Sequence, residues 1–277
     1  MIIIESMAQL EALIEKAEQS QDKPINNFYL YEDDVARLIG QRRLYCQVVG
    51  TSFAVYSDEG AYYQMYFFAD KQKPVGACHT EKPLVCEVLF REGDKEGILK
   101  MKEMLNEFRV HKTSAMVTCR VKDIEQSLRC QYDEAKHAAA EKQIFVRNAA
   151  EKDLPALKGL WSYLDPLDFK YMNTQELEAS FIKKEITVAE SSAAGICGTV
   201  WRTKKGHTSL HKQLAVSETM RGHGIGRLLV LDSLMRDIAE GAAVRSCWLD
   251  IKNNATLSLH NGIGFVSANK LSVQLTL

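Results

Sequence analysis

No apolar run in this sequence approaches the ~20 residues that a membrane span requires. The opening Met1-Ile2-Ile3-Ile4-Glu5 is too short an apolar stretch for a signal peptide and has no basic lead-in. An excess of one charge is also missing. The 35 Lys and Arg stand against 36 Asp and Glu, a formal net charge of −1, so there is no global pull toward nucleic acid or an anionic membrane. Paired cysteine spacing is absent: there are seven cysteines, an odd number, and the nearest two, Cys78 and Cys86, are too far apart for a Cys-x-x-Cys site. That argues against a disulfide framework and sets the reducing cytoplasm as the expected location. His207 and His211 are four apart on a strand, too far for one ion, and no carboxylates complete a metal set. No Gly-x-Ser-x-Gly elbow occurs.

What is present is an ordinary soluble composition, 46% apolar and 26% charged over 277 residues, with room for two domains. The most informative stretch runs from Leu214-Ala215-Val216 through Ser217-Glu218-Thr219-Met220 to Arg221-Gly222-His223-Gly224-Ile225-Gly226-Arg227. It reads as a buried strand end, a turn, a glycine-rich loop and the first turn of a helix. Glycines at alternate positions let amide N–H groups crowd around an anion. The helix behind them adds its unpaired N–H groups and the positive end of its dipole. A nucleotide P-loop would need Gly-Lys-Ser/Thr, but here the loop ends Gly226-Arg227-Leu228. A dinucleotide fingerprint would need a glycine where Arg227 stands.

Along the chain, Ser6 and Gln9 make a capping box for a helix over 7–18, and Gln19 to Asn27, with Pro24, reads as a loop. A short helix is expected over 33–39. Strands over 44–49 and 52–56 flank the hairpin signal Gly50-Thr51. The aromatic run 61–69 has no interleaved Arg or Lys, so it is a core strand in preference to a base-stacking surface. After a loop at 70–83 come a strand (84–90), a helix (95–108) whose Met101 and Met104 fill a core, and a strand (115–120). A polar helix over 123–142 bridges to the second half. There the order is strand 144–147, a helix within 148–164, helix 175–183, strands 186–190, 195–202 and 208–216, the glycine loop with its helix, strand 247–251, helix 254–261 and strand 271–275.

The pattern Arg-x-x-Gly-x-Gly on Arg221, Gly224 and Gly226, following Leu-Ala-Val, resembles the acetyl-coenzyme A pyrophosphate loop of the GNAT superfamily of N-acyltransferases. Asn253, Ala255, Leu259 and Gly264-Phe265 resemble a second segment of that family, with the alanine one place early. The resemblance is sharpest over 208–266. It implies an α/β fold with a mixed, mostly antiparallel central sheet flanked by helices. The similar element order of the first half implies a tandem: a degenerate GNAT-like domain over 1–141 that has lost its coenzyme A loop, and an acetyltransferase domain over 142–277.

The resemblance implies acetyl-CoA as co-substrate and no metal. Backbone groups of Leu214, Ala215 and Val216 would hold the pantetheine arm, and Arg221, Gly222, His223, Gly224, Ile225, Gly226 and Arg227, with Asn253, the rest of the carrier. A primary amine, small-molecule or peptide, would attack the thioester directly, helped by a base; Glu190, His211 and Asp250 are the candidates. His260 stands where the family usually has a tyrosine that protonates the leaving thiolate. Either the imidazole takes over that task or the domain binds acyl-CoA without turning it over, as a regulatory module. The acidic loop Asp165, Asp168, Tyr171 hints at a cationic acceptor. The N-terminal domain would shape the acceptor pocket or a homodimer contact.

Overall fold

In a computed structural model, the residues described are 1–20, 25–49, 52–69, 80–168 and 174–277. The turn at Gly50-Thr51, Pro24, most of the expected loop at 70–83 (with Cys78) and Tyr171 lie outside them.

Strand β1 (Ile2–Ile3) leads into Ser6, whose Oγ accepts the Gln9 N–H at 3.2 Å and starts α1 (Met7–Ser20). The Gln9 side chain reaches one residue further back than a capping box requires and accepts the Glu5 N–H at 2.9 Å. Where a polar loop was expected, β2 (Ile25–Asn26) pairs with a later strand. Helix α2 (Glu32–Gly40) opens on Glu32, Asp33 and Asp34, which suit the positive end of its dipole. Strands β3 (Leu44–Val49), β4 (Ser52–Asp58) and β5 (Tyr63–Ala69) form an antiparallel meander, and β6 (Leu84–Arg91) joins β5 in parallel. Helix α3 (Lys95–Met104) starts at Asp94, whose carboxylate accepts the Gly97 N–H at 2.8 Å, and β7 (Arg109–Arg120) follows.

The aromatic run is buried on both faces, as a core strand should be. Tyr66 and Phe68 pack with Leu10, Val35 and Leu38 from α1 and α2, while Met65 and Phe67 pack with Met101 and Met104 of α3.

The later part runs α4 (Glu125–Glu141), β8 (Ile144–Asn148), α5 (Leu154–Trp161), α6 (Thr174–Ile182), β9 (Ile186–Ser191), β10 (Gly195–Lys205), β11 (Thr208–Val216), α7 (Ile225–Ala239), β12 (Val244–Asp250), α8 (Asn254–Ile263) and β13 (Val266–Thr276). Strands β8 to β11 are antiparallel neighbours, and β12 runs parallel to β11.

Packing divides the chain into Met1–Thr113 with Lys270–Leu277, and Ser114–Asp168 with Met172–Asn269. Each unit borrows a strand from the other half of the sequence. Lys270 to Thr276 of β13 pairs with β6, and Ser114 to Arg120 of β7 pairs with β12. Residues 114–141, counted with the first half on sequence, therefore pack in the second unit, and 270–277 in the first.

Both units contain a fork. In the second, β11 and β12 pair only from Thr208–Val244 to Leu210–Ser246, then part. In the first, β5 and β6 pair only from Tyr63–Leu84 to Met65–Cys86. There the gap is filled by the chain itself. Ile25 and Asn26 pair with Ala69 and Phe68, and the Asn27 side chain accepts the Phe67 N–H at 2.7 Å while donating to Met65 O at 3.2 Å and Glu87 O at 2.9 Å. One amide thus satisfies backbone groups on both parted strands.

Replacing Asn27 with Ala would strand those groups in a buried place, at a cost of about 2–3 kcal/mol. The urea midpoint should fall accordingly; a midpoint equal to wild type would remove Asn27 from that role.

Candidate functional site

In the second unit the open fork faces the glycine loop. Ser217 N–H donates to Cys197 O at 2.9 Å, a short 3-10 turn covers Glu218–Met220, and Arg221 returns to extended backbone. Gly222 and Gly224 then both take positive φ, +79° and +84°, and a Cβ on either would meet open space. Gly224 is the N-cap of α7, and no side chain caps that end. The Leu228 N–H to Gly224 O bond, at 3.0 Å, begins the helical ladder, so the Ile225, Gly226 and Arg227 N–H groups stand ahead of it. A bare turn ending in an uncapped helix is a natural anion cradle.

Gly226 keeps the mouth of the fork clear. A Cβ there would lie 3.7 Å from Leu259, 3.8 Å from Val216 and 3.9 Å from Leu214. Gly198, which the sequence reading passed over, lets α7 press onto β10: a Cβ would come within 2.9 Å of Ile225 and 3.0 Å of Leu229. Its only sequence signal was a lone glycine inside a strand pattern.

Leu214, Ala215 and Val216 pair with Val200, Thr199 and Gly198 of β10 on one side, above the level where pairing to β12 ends. The register of β10 and β11 slips at Trp201/Arg202, where Gln213 and His211 are the partners and Lys212 is the extra residue of a bulge. Trp201 stacks on Trp161 of α5 at 5.9 Å between ring centroids, and the Lys212 ammonium sits 4.8 Å from the Trp201 ring.

Below the fork lies a buried ionic cluster. Asp237 of α7 accepts from Arg245 Nε at 2.6 Å, Ser209 Oγ at 2.9 Å and Arg202 at 3.1 Å, and Arg202 also pairs with Glu240. His211 and His260 stand beside this cluster with ring centroids 5.6 Å apart; they are 8% and 1% exposed. His260 Nδ1 lies 2.8 Å from Thr256 O, and since a carbonyl only accepts, Nδ1 carries the hydrogen. His260 Nε2 and His211 Nδ1 have no hydrogen-bond partner among the described residues. Burial lowers the pKa of both rings, with the Arg245 charge adding to it; His211 falls well below 6.5. Both are neutral at pH 7.

The side chains of the other expected site residues have partners of their own. Glu190 is held by Arg147 at 2.6 Å, in a cluster with Asp153 on the β8 side of the sheet. Asp250 Oδ1 accepts the Lys252 N–H at 2.9 Å, closing a turn. Asn253 caps α8 through the Thr256 N–H at 3.1 Å. Arg221 is exposed and faces Glu218 at 3.5 Å, whereas Arg227 is held by Gln131 of α4 at 2.6 Å. His223 Nδ1 donates to Arg221 O at 3.0 Å. Asp165 turns its carboxylate onto the Leu167 N–H at 3.0 Å. The structure thus brings the glycine loop to Leu214 and Val216, and His211 to His260, and leaves Glu190 on the outer strands. Among the described residues no group of His, Cys, Asp or Glu gathers to hold a metal ion, and no helix is long and apolar enough to cross a membrane.

No family model and no curated protein matches the chain. Solved structures do. A tandem GNAT protein from the clavulanic acid biosynthesis pathway aligns over 100% of this chain and 97% of its own at 11% identity, with a TM-score of 0.57. An acetyltransferase of the GNAT family from Colwellia psychrerythraea aligns over 99% and 98% at 16% identity, TM-score 0.55. A GCN5-related N-acetyltransferase from Sphaerobacter thermophilus aligns over 82% and 76% at 10% identity, TM-score 0.56. The chain has the GNAT fold, in the tandem form.

The two neutral histidines set a pH dependence. Their folded pKa values lie below the unfolded value of ~6.5, so at pH above that value neither state is penalised. As pH falls through it, the unfolded chain takes up protons that the folded core refuses, and stability drops by about 1 kcal/mol per ring by pH 5.5. Arg147 and Arg202 hold Asp153 and Glu240 below the usual carboxylate range, so their contributions are lost only at more acid pH. Thermal unfolding at pH 7.5 and 5.5 should show the drop, and His211→Phe should flatten it. Parallel curves for the two proteins would count against it.

Proposed function

We propose that the second unit transfers an acetyl group from acetyl-CoA to a primary amine by direct attack, in the cytoplasm. The observation that carries this reading is the bare turn Gly222–Gly226, which ends in the uncapped N-terminus of α7 at the mouth of an open fork. The N–H groups from Gly222 to Arg227 would hold the diphosphate. Beyond Leu210, β11 has no pairing to β12, so Leu214 and Val216 can offer backbone groups to an amide-bearing arm as though it were another strand. The acetyl group arrives as a thioester, and what this chain must supply is alignment and proton handling. The six described cysteines are free thiols, which agrees with a reducing compartment.

Of the candidate bases, His211 stands at the fork, whereas Glu190 and Asp250 are engaged elsewhere. We assign proton handling to the His211–His260 pair. With its Nδ1 hydrogen given to Thr256 O, neutral His260 offers a lone pair at Nε2. It must accept a proton before it can donate one, so it would take the proton shed by the amine and then return it to the departing thiolate.

A second reading has an observation of its own. The His260 ring is 1% exposed, and a sealed imidazole favours an acyl-CoA-binding regulatory module without turnover. Coenzyme A release from acetyl-CoA, followed over a panel of small amines and lysine peptides, separates the two. Under the transferase reading His260→Phe should lower kcat about 100-fold, with KM for acetyl-CoA changed less than about threefold. Binding by calorimetry without release for any amine would establish the second reading.

A further inference from the structure

A cavity of about 220 Å³ opens in the first unit, between the start of α2 and the turn that follows β4. Leu38 and Glu59, 1% and 7% exposed, are the buried members of its lining, and Tyr29 also faces it. Tyr31, Asp34 and Arg37 stand at its rim. A buried carboxylate is costly unless its charge is answered.

The groups already on Glu59 do not exhaust it. Ser57 Oγ donates to Glu59 Oε1 at 2.6 Å. Arg43 lies 3.5 Å from Oε2, beyond the roughly 2.7–2.9 Å of a charge-assisted bond. Its guanidinium is turned to Gln41 Oε1, at 2.9 Å, and to Asp58 O. The two oxygens of a carboxylate can accept more than this. Asp34 and Arg37, 3.6 Å apart, are 43% and 38% exposed, so water serves both; Glu59 is shut away from it.

The neighbouring hydroxyls have their hydrogens committed. Ser57 gives its own to Glu59, and Tyr29 gives its own to Glu87 at 2.7 Å. Tyr66, fully buried and packed edge-on against Tyr29, makes no hydrogen bond through its hydroxyl among the described residues. Burial pushes both phenols up, so they add no charge of their own. A divalent metal would need several oxygen ligands, and among the described residues no group of acids gathers to hold one. An ammonium is three donors with no acceptor, and the tyrosine rings attract a cation as well. We infer that this cavity binds a small organic ammonium ion, its N–H groups on Glu59 and its apolar stem on Leu38. The site belongs to the first unit and is independent of acetyl transfer by the second.

Titration of the full-length protein with 3-methylbutylamine and with 3-methylbutan-1-ol, a neutral probe of the same shape, followed by ligand-observed NMR, tests it. Wild type should bind the amine at least about tenfold more tightly than the alcohol. Glu59→Gln, which keeps size and the Ser57 bond, should bring the amine to the level of the alcohol. Tyr31→Ala, a change at the exposed rim, should weaken the amine about threefold with the melting temperature unchanged. Amine held by the second unit would be insensitive to both changes. The inference is overturned if no amine binds up to about 10 mM, if amine and alcohol bind alike, or if the preference survives Glu59→Gln. Should Glu59→Gln fail to fold, an unchanged amine affinity in Tyr31→Ala overturns it.

Discussion

Pairing between β11 and β12 lasts for three residue pairs and then stops. Strands that part expose N–H and C=O groups along both inner edges, and such groups must be paired or hydrated. A fork in a sheet is therefore an unfilled demand for hydrogen bonds. The two units meet that demand differently. In the first, β2 and the Asn27 amide fill the gap, bonding to Phe67 and Met65 on one strand and Glu87 on the other. In the second, the gap faces a bare glycine turn, and Gly226 adds no side chain to its mouth.

The level at which the strands part is set by the ionic cluster beneath. Ser209 and Arg245 are register partners on β11 and β12, and both bond Asp237 of α7. Arg202 brings β10 to the same carboxylate and to Glu240. Two guanidinium groups face two carboxylates, so the cluster carries no net charge. Apolar side chains of equal volume could pack there at less desolvation cost. They could not fix the register, because only directional bonds tie one level of three strands to one point on the helix. Burial keeps His211 and His260 neutral, and the nearby Arg245 charge adds to the effect.

Much of this was legible in the sequence wherever the signal is local. Glycines at alternate positions before an apolar helix mark the turn, period-two and period-3.6 patterns mark the strands and helices, and Met101 and Met104 sit in the core as their spacing implied. What escaped is non-local. Ile25 and Asn26 are too few to show a strand period, and their pairing with Phe68 and Ala69 depends on residues some forty positions away. The strand exchange is silent for the same reason: β7 and β13 read alike whichever sheet they complete. His211 was a candidate base on its strand position and intrinsic pKa. The bulge at Lys212 and the Arg245 beside the ring, with the burial that lowers its pKa, cannot be seen from its neighbours in sequence. Likewise Asp250 and Asn253 carry the residue types of chemistry, yet each closes a turn or caps a helix.

The closed fork of the first unit shows how little chain is needed to turn a binding cleft into a core. Two residues of strand and one asparagine supply the hydrogen bonds that an extended ligand would otherwise supply, and they do so without losing translational freedom, because they are already tethered. An intramolecular occupant of that kind outcompetes a ligand making the same contacts. The second unit has no such tenant among its described residues. Its fork stays available only while nothing nearby in the chain can reach it, and the positive φ of Gly222 and Gly224 turns the backbone so that the segment after β11 leads into α7. Glycine at these positions therefore serves twice: it bares N–H groups toward an anion, and it keeps the chain from filling its own cleft.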